Sequence, residues 1–255
     1  MKMLNLIEKI FKKPACVEYL LPQGFRVYAV GDIHGRADLL KDIHRLIEED
    51  AARDQVQENV LVYLGDYIDR GVFVREALDM LCSDVLPGFR RIFLKGNHEQ
   101  MMLEFLENPE LLEPWVQLGG QSTLLSYGVK VSLSDFSRNK AESAQKALID
   151  SLPREHFSFL SNLKLCFELG DYLFVHAGVR PGKALSEQIP EDLLWIRDDF
   201  LSSGEHFGAR IVHGHSIVSS PEILPNRINV DTGAYASGKL NCAVLEKDRV
   251  RVLSQ

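Results

Sequence analysis

The first third of the chain repeats one pattern of apolar and polar positions three times. FRVYAV (25–30) is a short apolar, β-branched and aromatic run that stops at Gly31-Asp32. NVLVYL (59–64) stops at Gly65-Asp66, and RIFL (91–94) stops just before Gly96-Asn97. Each run predicts a buried strand. After each strand the period becomes helical. ADLLKDIHRLIEED places Leu39, Leu40, Ile43, Leu46 and Ile47 on one face, VREALDMLCSDVL does the same with Leu78, Leu81, Cys82 and Val85, and EQMMLEFLE predicts a third helix. Strand, loop and helix in that order predict right-handed βαβ units on a parallel sheet, whose carboxyl-end loops all open on one edge.

Residues 107–162 carry a different pattern. ELLEPWVQLGG, AESAQKALIDSLP and REHFSFLSNL read as helices without clustered metal-ligand residue types, joined by the polar link SLSDFSRNK. They predict a helical cap or insertion at 107–162. Strands return from 163. KLCFEL and YLFVHA flank Gly170-Asp171 as a hairpin, LLWIRDDFL (193–201) reads as one short helix, and ARIVHGH and RINVDTG read as strands. KLNCAVLE and RVRVL form a last hairpin around Lys247-Asp248, assigned with the other late strands to a second sheet. The predicted fold is α/β, with two packed mixed β-sheets flanked by helices. A single domain is expected over 25–255, preceded by an extension over 1–24.

Composition narrows the partners. A net charge of −7, with no basic block beyond Lys12-Lys13, excludes a general nucleic-acid or anionic-membrane binder while leaving room for a local phosphate pocket. The opening MKMLNLIEKIFKKP is amphipathic, interrupted by charges, and followed by no small-residue cleavage site, so neither a secretory leader nor membrane attachment is expected. Cys16, Cys82, Cys166 and Cys242 are far apart and form no CxxC pair, so free thiols in a reducing, cytoplasmic compartment are expected.

The strand ends carry the chemistry. GDIHG (31–35), GDYIDRG (65–71), GNHE (96–99), HAG (176–178) and HGH (213–215) supply Asp32, His34, Asp66, Asn97, His176 and His215. This all oxygen-and-nitrogen set suffices for two adjacent divalent metals if one carboxylate, Asp66, bridges them. Manganese is expected first, with iron or zinc as alternatives. Two such ions activate water for in-line attack on phosphorus, which then needs positive charge on the phosphoryl oxygens and a proton for the leaving group. Arg70, inside the metal loop, and Arg197 are the candidates for the first task, since guanidinium matches phosphate bidentately. His98, next to Asn97, is the candidate proton donor, with Asp69 to orient it.

GDIHG, GDYIDRG, GNHE and HAG, in this order, resemble the motifs of the phosphoprotein phosphatase family of metallophosphoesterases, to which calcineurin belongs. The motifs span 31–178, and HGH with the final strands extends the likeness to about residue 245. The resemblance implies Asp32, His34 and Asp66 on one metal and Asp66, Asn97, His176 and His215 on the other. It also implies a His98–Asp69 acid dyad, an Arg70 phosphate clamp, and hydrolysis of phosphoserine and phosphothreonine without a phosphoenzyme. His213 stands where eukaryotic members have an arginine, and DTGAYASGKL has no clear counterpart to their inhibitor-binding loop, so the chain looks like the bacterial and phage branch.

The expected function is therefore metal-dependent phosphoprotein phosphatase, with phosphotyrosine and small phosphate esters as further substrates to test. The alternative is a symmetrical dinucleoside-tetraphosphate hydrolase, a neighbouring branch that resembles this chain less because it typically has Gln at the position of His34 and lacks an acid at that of Asp69. A catalytically silent scaffold would require a missing ligand, and none is missing.

Overall fold

The computed structural model describes residues 18–255. The amphipathic opening segment, Cys16 and most of the expected 1–24 extension lie outside them. Residues 18–24 tie together two hairpin turns, one from each sheet: Leu21 N donates to Lys247 O (3.0 Å) and Leu20 N to Asp171 Oδ2 (2.9 Å).

Three predicted βαβ strands form as expected: β1 (Phe25–Val30), β2 (Glu58–Tyr63) and β3 (Phe89–Phe93), all parallel. Their helices are α1 (Ala37–Ala51), α2 (Val74–Cys82) and α3 (Asn97–Glu107). Asn97, read as a loop residue, opens α3, and α2 ends at Cys82, short of the predicted Val85. The insertion then supplies α4 (Leu112–Trp115), a π-helical turn over Val116–Gly120, α5 (Gln121–Ser126), α6 (Arg138–Ser151) and α7 (Arg154–Ser161).

The second sheet contains β4 (Cys166–Leu169), β5 (Tyr172–Val175), β6 (Arg210–His213), β7 (Glu222–Ile223) and β8 (Arg227–Asn229), in the order β4-β5-β6-β8-β7. β5, β6 and β8 are parallel to one another. The closing hairpin, β9 (Cys242–Glu246) and β10 (Arg249–Leu253), corrects one expectation. It joins the first sheet, in the order β10-β9-β1-β2-β3, and β9 runs antiparallel to β1. β9 thereby covers the open edge of β1 and is buried on both faces, as its apolar CAVL run requires. β10 alternates Arg and Val, as an edge strand does.

Strict alternation sorts the side chains into layers. Val27, Ala29, Val60, Val62 and Leu245 meet Phe174, Val212 and Ile228 between the sheets. Tyr28, Val30, Leu61 and Tyr63 face α1–α3 and the insertion, burying Ile43, Leu78, Phe105 and Trp115. The outer face of the second sheet is covered by α8 (Pro190–Trp195) and α9 (Asp198–Leu201). These two short helices replace the single helix predicted over 193–201. The break falls at Arg197, with φ −132° and ψ −103°, a backbone that leaves the helix and turns this side chain towards the strand-end loops. Among the described residues no helix is long and apolar enough to cross a membrane.

Candidate metal and phosphate site

The carboxyl ends of β1, β2, β3, β5 and β6 converge, and backbone hydrogen bonds zip the first two loops together. Ile33 N and His34 N both donate to Asp66 O (3.0 and 2.8 Å), and Gly35 N donates to Tyr67 O (2.8 Å). A Cβ on Gly96 would collide with Asp66 Oδ1, and one on Gly214 with Asp32 Oδ1, so both motifs need glycine for the backbone to approach a carboxylate. Among the described residues six non-glycine positions have positive φ, and five of them, His34, Asp66, Asp69, Arg70 and His215, are in these loops. Such conformations cost about 1–3 kcal/mol each and persist where surrounding contacts over-determine them.

All six expected ligand residues are buried, but Asp32, expected beside His34 and Asp66, joins neither of the groups of donor atoms that form there. Two groups of donor atoms lie within 4.8 Å of one another, His34–Asp66–His98 and Asp66–His176–His215, and they share Asp66. Asp66 Oδ2 is 3.5 Å from His34 Nε2, whereas Oδ1 is 3.4 Å from His176 Nε2. Asn97 Oδ1 lies 3.0 Å from His176 Nε2. Asp32 accepts from His215 N through both oxygens, at 3.2 and 3.1 Å.

Three observations test whether these residues suit cations. His34 Nδ1 and His176 Nδ1 donate to the carbonyls of Ile68 (2.8 Å) and Leu64 (2.9 Å), which fixes their tautomers and leaves a lone pair on each Nε2. The His176 lone pair then faces the acceptor Asn97 Oδ1 with no proton between them. His215 Nε2 is buried with no hydrogen-bond partner among the described residues. Burial pushes His34 down to about 3 and His215 down to about 2, and it also lowers His176, so all three imidazoles are neutral. Burial, Asp231 and Asp66 raise Asp32 well above the usual carboxylate range. Burial alone would raise Asp66 too, but its interactions with the His176, His98 and His34 rings outweigh burial and lower it. Neutral nitrogen donors and crowded carboxylates fit divalent cations.

The remaining site residues sit beside this cluster. His98 Nδ1 donates to Asp69 Oδ2 at 2.7 Å. Burial would lower His98, but the Asp66 and Asp69 carboxylates outweigh it and raise its pKa. Arg70 is half-buried, with Nη2 3.1 Å from His98 Nε2 and Nε 3.4 Å from Leu118 O. Arg197 is exposed and reaches His215 O at 3.4 Å. His213 points away, edge-on to Phe200 at 5.0 Å, and burial pushes it down to about 3.

Several further neighbours, none of them expected from the sequence, complete the site. Glu99, inside GNHE, is fully buried and accepts from the backbone N–H groups of Asp66, Tyr67 and Gly96 at 2.8–2.9 Å, pinning the β2 and β3 loops together. Burial and the Asp66 charge push it up to about 7. Asp231 is buried beside Asp32 and is pushed up to about 6, chiefly by burial. Tyr235, from the DTGAYASGKL loop, lies under the Arg70 guanidinium (4.8 Å) and edge-on to His34 (5.5 Å). Trp115 and Thr123, from the insertion, both bond Asp69. A separate groove of about 830 Å³ between α3, α6 and α7, lined by Leu103, Leu106, Ile149 and Phe157, includes none of these residues.

Two stacked mixed sheets with buried His/Asp groups at their strand ends define a metallophosphoesterase. The calcineurin-like phosphoesterase family model matches residues 25–252, and the chain belongs to that family. It is 28% identical over 226 residues to serine/threonine-protein phosphatase 2 of Escherichia coli, covering 84% of this chain and 90% of that one. It is also 26% identical over 230 residues to the asymmetrical bis(5'-nucleosyl)-tetraphosphatase PrpE of Bacillus velezensis, covering 83% and 85%. Among solved structures, a putative diadenosine tetraphosphatase matches with a TM-score of 0.60 at 18% identity, covering 93% of this chain and 98% of that one, a likeness of fold.

Proposed function

We propose that this metallophosphoesterase is a dinuclear, manganese-dependent phosphatase of serine/threonine phosphoproteins that works in the cytoplasm. The observation that carries the reading is the sharing of Asp66 between two donor groups, one through each oxygen, next to a buried His–Asp pair. Asp32, His34 and Asp66 would hold one ion, and Asp66, Asn97, His176 and His215 the other. Two divalent cations there supply water activated at neutral pH and offset phosphoryl charge.

The chain's own residues do the rest. Arg70 and Arg197 bind the non-bridging phosphoryl oxygens and hold the ester in line. The serine leaving oxygen departs poorly as an alkoxide, so His98 Nε2 hands it a proton as the P–O bond breaks. Asp69 holds the imidazole through Nδ1–H, so the proton is delivered from Nε2. In the free enzyme Arg70 Nη2 donates towards that nitrogen at 3.1 Å, so Nε2 takes up the proton it later gives, from solvent, only once Arg70 has turned to the phosphate. Tyr235 and Trp195, whose ring lies 6.4 Å from His215, wall the mouth. The described cysteines are free thiols, in keeping with a reducing compartment.

The phosphoprotein substrate class is supported by the E. coli relative. The PrpE relative supports a second reading, cleavage of dinucleoside tetraphosphates, and its name specifies asymmetrical cleavage where the sequence alone pointed to the symmetrical branch. The test is to give manganese-loaded protein a phosphoserine peptide and diadenosine tetraphosphate side by side. Fast phosphate release from the peptide alone supports the phosphatase. Conversion of the dinucleotide alone overturns the protein substrate, with AMP and ATP marking the asymmetrical reaction and ADP the symmetrical one.

A further inference from the structure

The helical insertion reaches the site through one kinked helical stretch, Trp115 to Thr123, and its contacts there are specific. Trp115 Nε1–H donates to Asp69 Oδ2 at 2.9 Å, and Thr123 Oγ1 donates to Asp69 Oδ1 at 2.5 Å while accepting from Asp69 N at 3.0 Å. The next residue is held as well: Arg70 N donates to Gly119 O (3.2 Å), and Ser122 Oγ donates to Arg70 O (3.1 Å). Trp115, Thr123 and Asp69 are all fully buried. Trp115 is itself fixed, with its ring 5.0 Å from that of Phe105 and packed so closely on Gly120 that a Cβ there would collide with it. The π-helical turn over 116–120, with Gly119 at φ 115°, lets Trp115 and Thr123 approach one carboxylate from two sides.

Asp69 thus has three side-chain donors, His98, Trp115 and Thr123, arranged around both oxygens. A carboxylate held only by His98 could rotate about its own axis and carry the imidazole with it. Two further fixed donors remove that freedom and also satisfy a charge that would otherwise be buried bare. We infer that Trp115 and Thr123 are positioning residues for proton donation: they lock the Asp69 carboxylate so that His98 presents Nε2 to the leaving oxygen. The insertion is therefore part of the proton-delivery machinery as well as a wall of the site. This rests on the proposed role of His98 as the acid.

The test uses leaving groups, which distinguish proton delivery from general damage. p-Nitrophenolate departs without a proton, whereas serine alkoxide needs one. Manganese-loaded Thr123→Val and Trp115→Phe are expected to lose about ten- to hundredfold in kcat on a phosphoserine peptide and little on p-nitrophenyl phosphate. Thr123→Ser, which keeps the hydroxyl, is expected to restore the peptide rate. In the metal-free protein, the low-field proton resonance of His98 Nδ1–H, assigned by its loss in His98→Asn, should shift or broaden in Thr123→Val. Equal losses on both substrates, or no loss on either, would overturn the inference while leaving the acid in place if His98→Asn still discriminates between the two. If His98→Asn itself treats both substrates alike, the assignment of the acid fails and the inference falls with it. Should Trp115→Phe fold poorly, the Thr123→Val and Thr123→Ser pair decides.

Discussion

The two carboxylate oxygens of Asp66 face different imidazoles, Oδ2 lying 3.5 Å from His34 and Oδ1 3.4 Å from His176. A left-handed backbone at Asp66 (φ 53°) and the N–H groups pinned by Glu99 hold that orientation. One residue therefore belongs to both halves of the site, and most of what the site is expected to do depends on it.

Asp66→Asn keeps the shape and removes the negative charge. It is expected to lower kcat by at least about a thousandfold and to reduce bound manganese below two ions per chain. Elemental analysis after dialysis, together with phosphate release, checks this. Two tightly held ions with near-native turnover would contradict the bridge.

His98 also lies close enough to Asp66 and His34 to be counted among possible donors, with Nε2 3.7 Å from Asp66 Oδ2. Its bond to Asp69 and the adjacent Arg70 guanidinium favour an acid over a ligand. His98→Asn should cut kcat on a phosphoserine peptide about a hundredfold with manganese content unchanged. Loss of both metals in that variant would make His98 a ligand.

Arg197 stands where α8 breaks from α9, exposed at the mouth. Arg197→Ala is expected to raise KM for a phosphopeptide about tenfold, with inhibition by inorganic phosphate weakening in parallel. Unchanged phosphate inhibition would place this side chain off the substrate.

His213, which points away from the donor groups, provides a pH prediction. In the unfolded chain it titrates near 6.5, whereas in the folded protein burial keeps it neutral down to about 3. Acid therefore protonates the unfolded chain first. Stability complete above pH 6.5 is lost as pH falls below it, by roughly 1.4 kcal/mol per unit and about 2 kcal/mol by pH 5. Urea midpoints of metal-free protein at pH 7 and 5 should show a steeper fall for the native chain than for His213→Gln. Equal slopes would mean that His213 is not buried neutral.

The βαβ units are legible in the sequence because both of their signals are local: alternation or helical period within a dozen residues, and a Gly-Asp or Gly-Asn pair where each strand ends. The same locality places Asp32, Asp66 and Asn97 on one sheet edge. What is not legible depends on distant partners. The CAVL run of β9 reads as a buried strand, but its choice of β1 as neighbour is a tertiary decision. The break at Arg197 is hidden because Leu193, Leu194 and Phe200 continue an apolar pattern across it. Trp115 and Thr123 carry no ligand-type signal and acquire meaning only through Asp69, 46 and 54 residues earlier in the chain. Asp231 follows a strand as Asp32 does, and that shared position could have brought it into the site from the sequence.

Whether two ions at this site hydrolyse phosphate esters is decided by a manganese titration of metal-stripped protein. Phosphate release from a phosphoserine peptide is followed against bound manganese per chain. Activity is expected to rise to a plateau at two ions per chain. A plateau at one ion, or full activity with none, would contradict it.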